Sequence, residues 1–235
     1  MEPAEYDLMD AAEGRMWWYR ALHARLSDAL RGVTGRVLDA GCGTGGFLSA
    51  LAPPLRPVGL EFSAIAAPRA AAKSGAPVVR GSVNAMPFAN ASFDAAIAAD
   101  VLCHAAVDPA AALIEIRRVL RPGGRLVVNM PAYAWLMSAH DRRVHNVRRQ
   151  TAGELHAALA AAGFIRIRAR YWNGLLLPLM IAERKLFARA DNAASDVAVF
   201  SPWLDATLHG ITALERRLPF PLPAGGSVLA TAEAP

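Results

Sequence analysis

Arg36-Val37-Leu38-Asp39-Ala40-Gly41-Cys42-Gly43-Thr44-Gly45-Gly46-Phe47 is the stretch that decides the fold. A short apolar run ends in a carboxylate, and a glycine-rich turn follows that opens into the helix-compatible Phe47-Leu48-Ser49-Ala50-Leu51. Read as strand, turn and helix, it sets backbone N–H groups and a helix N-terminus around a ligand. Gly41, Gly43 and Gly46 also satisfy the G-x-G-x-x-G spacing of dinucleotide-binding loops. Asp39 separates the ligand classes. A pyrophosphate at the mouth of the loop would be repelled by that carboxylate in a partly dry site, whereas a cationic ligand gains from it. Glu61 ends the next apolar run, Pro57-Val58-Gly59-Leu60, about 20 residues after the first glycine, where an acid accepts from ribose hydroxyls.

Those acids favour a nucleoside that carries positive charge and no phosphate. S-adenosylmethionine, with its sulfonium and ammonium, meets both conditions. A nicotinamide cofactor fits the ribose acid but not Asp39.

Outward from the loop, strands and helices alternate. A helix is predicted over 16–31, a strand over 36–40, a helix over 45–52 stopped by Pro53-Pro54, and a strand over 56–61. A helix over 63–73 behind Ser63, a strand over 77–80 and a continuous apolar strand over 93–99 follow. Asp108-Pro109 starts a helix that runs to Leu120, and Arg121-Pro122-Gly123-Gly124 turns into a strand over 125–130. This alternation predicts a parallel sheet covered on both faces. A capped amphipathic helix over 151–162 then leads to Phe164–Tyr171, which alternates strictly as a half-exposed strand should. An apolar insertion over about 173–222 with two helices (175–190 and 201–217) precedes a last strand at 227–232.

The length of 235 residues suits one α/β domain over 1–235, and 54% hydrophobic content suffices for its core. Within it, 1–35 reads as a helical lid, 36–131 as the cofactor-binding core and 132–235 as substrate-side elements. The net charge of +5 is dispersed and carried almost wholly by arginine, since Lys73 and Lys185 are the only lysines. A nucleic-acid binder would show a basic stripe with exposed aromatics, so no nucleic-acid partner is expected. Cys42 and Cys103 have neither metal-ligand nor disulfide spacing, and no metal is expected. The acidic start (Glu2, Glu5, Asp7, Asp10, Glu13) is unlike a signal peptide. The apolar run Leu175–Ala182 is too short to span a bilayer, so a cytoplasmic protein is the expectation.

With these motifs in order, the chain resembles a class I S-adenosylmethionine-dependent methyltransferase. Val37–Gly45 is similar to the family's first motif, Arg118–Gly124 to its later turn, and Met86-Pro87-Phe88 with Ser92-Phe93-Asp94 to the segment before the fourth strand. The resemblance implies a Rossmann-like, seven-stranded, mostly parallel sheet with an antiparallel last strand. It implies S-adenosyl-L-methionine as cofactor and S-adenosyl-L-homocysteine as product. By that resemblance, Asp39 and the backbone of Gly41, Cys42 and Gly43 hold the methionine end, and Glu61 holds the ribose. Phe62 borders the adenine, Ser82 stands where the family usually places an acid for the adenine amino group, and Val83 offers its N–H to the ring. Asp100 faces the methionine and the reacting space. Arg20 is the candidate for the cofactor carboxylate.

Methyl transfer needs little covalent help, because the sulfonium already leaves well and alignment supplies most of the rate. A base matters when a hydroxyl must lose its proton. His140 is the first candidate, with Asp141 orienting it or touching substrate, and His104 is the second. Tyr133, at the carboxyl end of the fifth strand, and the paired Arg148 and Arg149 are substrate candidates. The expected reaction is O-methylation of a small or medium-sized acceptor, in secondary metabolism or as an envelope glycan or lipid precursor. The acceptor is a small molecule or is linked to lipid or peptide. The insertion can wall an apolar pocket, dimerise the chain or rest on a membrane surface. An oxidoreductase using NAD or NADP and a non-catalytic cofactor-binding protein are the competing readings.

Overall fold

A computed structural model describes residues 3–186 and 200–235. The helices are α1 (Pro3–Ala12), α2 (Trp17–Ala29), α3 (Gly46–Ala50), α4 (Ala66–Ser74), α5 (Pro109–Val119), α6 (Ala139–Arg143), α7 (Ala152–Ala161), α8 (Leu177–Leu186) and α9 (Pro202–Arg216). The strands are β1 (Gly35–Ala40), β2 (Leu55–Glu61), β3 (Val78–Arg80), β4 (Phe93–Ala99), β5 (Leu120–Pro131), β6 (Ile165–Trp172) and β7 (Ser227–Glu233). They form one sheet in the order β3-β2-β1-β4-β5-β7-β6. β1 pairs in parallel with both β2 and β4, and β4 in parallel with β5. β7 runs antiparallel between β5 and β6. The Rossmann-like, seven-stranded sheet read from the sequence is the one observed.

Local chemistry accounts for the boundaries. Asp108 accepts from the N–H groups of Ala110 and Ala111, and Pro109 opens α5 in the first helical position, where its missing N–H costs nothing. Thr151 and Glu154 cap α7 reciprocally, as Ser138 and Asp141 cap α6. Central strands read as apolar runs because both faces are covered: Val37, Leu38, Ala95, Ala96, Ile97, Leu126, Val127 and Val128 are all fully buried. Order reverses between β1 and β4, which places a crevice beyond the carboxyl ends of those strands.

Two elements escape sequence reading. α1 has too little apolar periodicity to stand out, yet it lies across the glycine loop. Thr44 Oγ1 donates to Glu13 Oε1 at 2.8 Å, Lys73 pairs with Asp10 and Glu13, and Arg69 Nη1 lies 2.7 Å from Asp7 Oδ1. α6 is a single five-residue turn held by its capping box. The helix read over 175–190 is observed to Leu186, and its remainder lies outside the described residues. Among the described residues no helix is long and apolar enough to cross a membrane.

Candidate active site

A cavity of about 1410 Å³ opens at the carboxyl ends of β1, β2 and β4. That exceeds the roughly 300–1,000 Å³ that encloses one drug-sized ligand, so a cofactor leaves room for a second molecule. Asp39, Gly41, Cys42, Gly43, Glu61, Phe62, Ser82, Val83 and Asp100 all line it, which brings together every residue expected on the cofactor side except Arg20.

The glycine loop is shaped by its neighbours. Gly41 has φ +86°, and a Cβ there would stand 2.5 Å from Val101 Cγ2. Gly45 has φ +90° and lets α3 approach α4, since a Cβ would meet the Ala70 Cα at 2.7 Å. The loop's donors are turned inward. Gly41 and Cys42 donate to the Leu60 carbonyl (2.7 and 3.1 Å), Gly45 to the Cys42 carbonyl (2.9 Å), and Gly43 to Glu61 Oε2 (2.9 Å). The N–H cradle expected at 41–43 is therefore already occupied by the protein. A pyrophosphate needs those donors; a phosphate-free nucleoside does not.

Carboxylates dominate what remains. Asp39 is 3% exposed, and burial, followed by Glu61 and Glu13, pushes it up to about 7. Burial likewise raises Glu61, which the N–H groups of Gly43 and Ser63 partly offset. Asp100, at φ +54°, is pushed up to about 7 by burial, against the Asn129 amide that donates to it at 3.0 Å. Among the described residues no cation forms an ion pair with Asp39, Glu61 or Asp100. Buried carboxylates are stable as ions only beside positive charge, so this cavity is suited to a cationic ligand. S-adenosylmethionine fits on that ground. Asp39 and Asp100 would face its charged methionine end, and Glu61 would face the ribose with the lone pairs the backbone leaves. Ser82 accepts from the Asn84 N–H at 3.2 Å, Val83 is buried, and Phe62 is 70% exposed at the rim.

Several expectations change. Arg20 does not line the cavity: it pairs with Asp205 at the start of α9, which also accepts from the Trp17 N–H and so caps α2. Tyr133 is turned away too, stacked between Trp135 and Tyr171 at 5.6 and 5.3 Å. Arg148 donates to the His104 carbonyl at 2.7 Å and stands outside the cavity lining. Arg149 lines the cavity, but its guanidinium is committed to both oxygens of Asp141 (3.0 and 2.8 Å) and to the Ala132 carbonyl. Asp141 is 1% exposed; burial alone would raise it, and Arg149 with Ser138 holds it below the usual carboxylate range. It is a buried structural anion and not a partner for His140.

His104 lines the cavity, but burial lowers it to about 4, which makes it a weak base. His140 also lines the cavity, and its buried Nδ1 has no hydrogen-bond partner. Asn173, missed by sequence reading, lines it with an unpartnered, buried Oδ1 and a backbone φ of +58°. Only the strand-end position of Asn173 hinted at it. Trp17, Trp18, Met180 and Phe200 give the same cavity an apolar wall, so the insertion does face the pocket. Among the described residues no group of three His, Cys, Asp or Glu could hold a metal ion.

Comparison with known proteins agrees with this chemistry. Residues 38–128 match the model of a methyltransferase domain. An O-methyltransferase from Aspergillus sclerotiorum is 38% identical over 136 residues, covering 54% of this chain and 49% of that protein. A 24-methylenesterol C-methyltransferase from rice (Oryza sativa) is 33% identical over 150 residues, 55% of this chain and 39% of the relative. The chain thus spans half or less of these relatives' lengths. In structure it superposes on an S-adenosylmethionine-dependent methyltransferase from Thermotoga maritima, described as a possible histamine N-methyltransferase. The TM-score is 0.65 at 18% identity, over 99% of this chain and 96% of that one. A putative methyltransferase from Haloferax volcanii gives 0.63 at 23% identity, over 98% of both chains. At such identities the likeness speaks for the fold. A loop whose N–H groups are taken up by the protein, beneath a cavity lined by buried carboxylates, agrees with the match of residues 38–128 to a methyltransferase domain.

Proposed function

We propose that the chain transfers the methyl group of S-adenosylmethionine to a hydroxyl of a small or medium-sized, partly apolar acceptor. The observation that carries this reading is the cavity itself, which has carboxylates with no ion pair among the described residues at one end and, at the other, an aromatic wall with unpartnered polar atoms on Trp17, His140 and Asn173. When bound, the cofactor supplies an electrophilic methyl on a sulfonium that departs as a neutral thioether. Asp39, Glu61 and Asp100 hold it by charge and hydrogen bonding. Trp17, Trp18, Met180 and Phe200 pack the apolar part of the acceptor, and Asn173 Oδ1 accepts a hydrogen bond from it. The His140 imidazole takes the hydroxyl proton. α1, the turn after it and the start of α2, which carry Tyr6, Met9, Glu13 and Trp17 into the cavity wall, act as a lid that excludes water. The O-methyltransferase among the relatives supports oxygen as the accepting atom.

Incubation with S-adenosylmethionine and a panel of phenols, sterols and hydroxylated lipids, read by mass for the gain of one methyl group, tests this. His140→Ala should lower turnover of a hydroxyl acceptor by about 10²–10⁴-fold with little change in cofactor affinity. Undiminished turnover would remove His140 as the base. Cofactor binding without turnover on any acceptor would favour a non-catalytic protein, and NAD binding without S-adenosylhomocysteine binding would favour an oxidoreductase.

A further inference from the structure

We infer that Asn129 and Trp172 are positioning residues, a two-member relay that aims the Asp100 carboxylate at the cofactor without touching the cofactor themselves. The inference rests on the reading of Asp100 as a cofactor contact. Asp100 sits just beyond β4 with a left-handed backbone, a conformation that persists in a non-glycine residue only where surroundings dictate it. Asn129 on the neighbouring β5 supplies them twice. Its carbonyl accepts from the Asp100 N–H at 3.0 Å, and its side-chain Nδ2 donates to Asp100 Oδ1 at 3.0 Å.

The orientation of that amide is forced from behind. Trp172 Nε1 donates to Asn129 Oδ1 at 2.8 Å, and an indole N–H can only donate. The amide oxygen must therefore face Trp172, which leaves the NH₂ for Asp100. Trp172 is fixed in turn by stacking on Trp18 (6.1 Å, 30°) and by the Arg25 guanidinium, 4.6 Å from its ring centroid. Arg25 is itself held by Glu215 on α9, at 3.1 Å, and Glu215 accepts from the N–H groups of Asn173, Gly174 and Leu175. Asn129 is fully buried, Trp172 is nearly so, and neither lines the cavity.

The other groups around Asp100 are accounted for. Arg149 favours its charged form and Asp141 opposes it. Tyr19 on α2 feels the same charge, and Cys103 Sγ donates to the Asp100 carbonyl rather than to the carboxylate. The Asn129 amide is thus the one side-chain donor given to that carboxylate among the described residues. If the indole N–H were lost, the amide could turn its oxygen toward Asp100, which would favour the protonated acid.

Calorimetric titration with S-adenosylhomocysteine across the neutral pH range tests the relay. In the parent chain, affinity rises with pH as Asp39 and Asp100, both pushed up to about 7, ionise to meet the ligand's ammonium, and the Asp100 share is the part the relay controls. Trp172→Phe, which keeps the stacking but deletes the N–H, should move the Asp100 part of that rise upward by about one pH unit and weaken binding about fivefold near pH 7. Asn129→Ala should do the same while leaving the indole in place, and it carries the test if Trp172→Phe fails to fold. In an Asp100→Asn background both changes should become silent. A folded Trp172→Phe or Asn129→Ala chain with the parent pH profile would overturn the relay, as would an equal shift in the Asp100→Asn background. Asp100→Asn binding like the parent at every pH would instead remove Asp100 as a cofactor contact, and the relay with it.

Discussion

Asp39 illustrates how one buried carboxylate complicates its own fold. Burial holds it near about 7, above its unfolded value of 3.8, so the native chain binds an extra proton between those values. Its contribution to native stability is present below about pH 4 and is lost as pH rises through about 7. His23 and His104, lowered by burial to about 4, pull the other way, since stability gains as they are left uncharged. The Asp39 share is isolated by difference. Asp39→Asn should gain stability over the parent as pH rises from about 4 to about 7, measured by denaturant unfolding. The same variant should bind S-adenosylmethionine about ten- to a hundredfold more weakly near pH 8, the loss of a charge-assisted contact worth roughly 1.5–3 kcal/mol. Equal affinity in calorimetry would remove Asp39 from the cofactor contacts.

At the scale of elements, the segment after β5 depends on one buried ion pair. Asp141 caps α6, and Arg149 grips both of its oxygens while holding the Ala132 carbonyl, so a single cluster closes the chain from 132 to 149. Arg149→Met leaves that carboxylate buried and uncompensated, and should cost about 3–5 kcal/mol in denaturant unfolding. A loss below about 1 kcal/mol would mean that the cluster is solvated. This pair also marks where legibility ends. The strands β1 to β5 announce themselves because each is a local apolar run beside a turn of fixed chemistry, and Asp39 and Glu61 inherit their places from those strand ends. Arg20, Arg148 and Arg149 do not, because an arginine's partner is chosen by tertiary proximity. Arg20 meets Asp205 on a helix at the far end of the sequence. The same limit hides Asn129 and Trp172, whose partners also lie on or just beyond other strands. α1 was illegible for another reason: its contacts to Arg69 and Lys73, and that of Glu13 just beyond it to Thr44, are polar, and apolar periodicity does not report those.

For the molecule as a whole, the cavity joins residues from the beginning, middle and late parts of the chain, so occupancy should act on global stability. S-adenosylhomocysteine at a hundred times its dissociation constant should add about 2.7 kcal/mol to unfolding, and NAD at the same concentration should add nothing. A thermal shift with NAD and none with the nucleoside would reverse the assignment.

The sheet order has one more consequence, in the timing of synthesis. Among the described strands β6 pairs only with β7, apart from a single bridge from Tyr171 to Leu222, and the entire apolar insertion lies between them in sequence. As the chain leaves the ribosome, β6 must wait as a bare edge, with Leu155, Leu159 and Phe164 still short of their packing against Val228, Ala230 and Ala232, until Ser227–Glu233 emerges and slots in beside β5. The last strand is a keystone, and a chain cut short of it exposes both a pairing edge and a greasy surface to its neighbours in the cell.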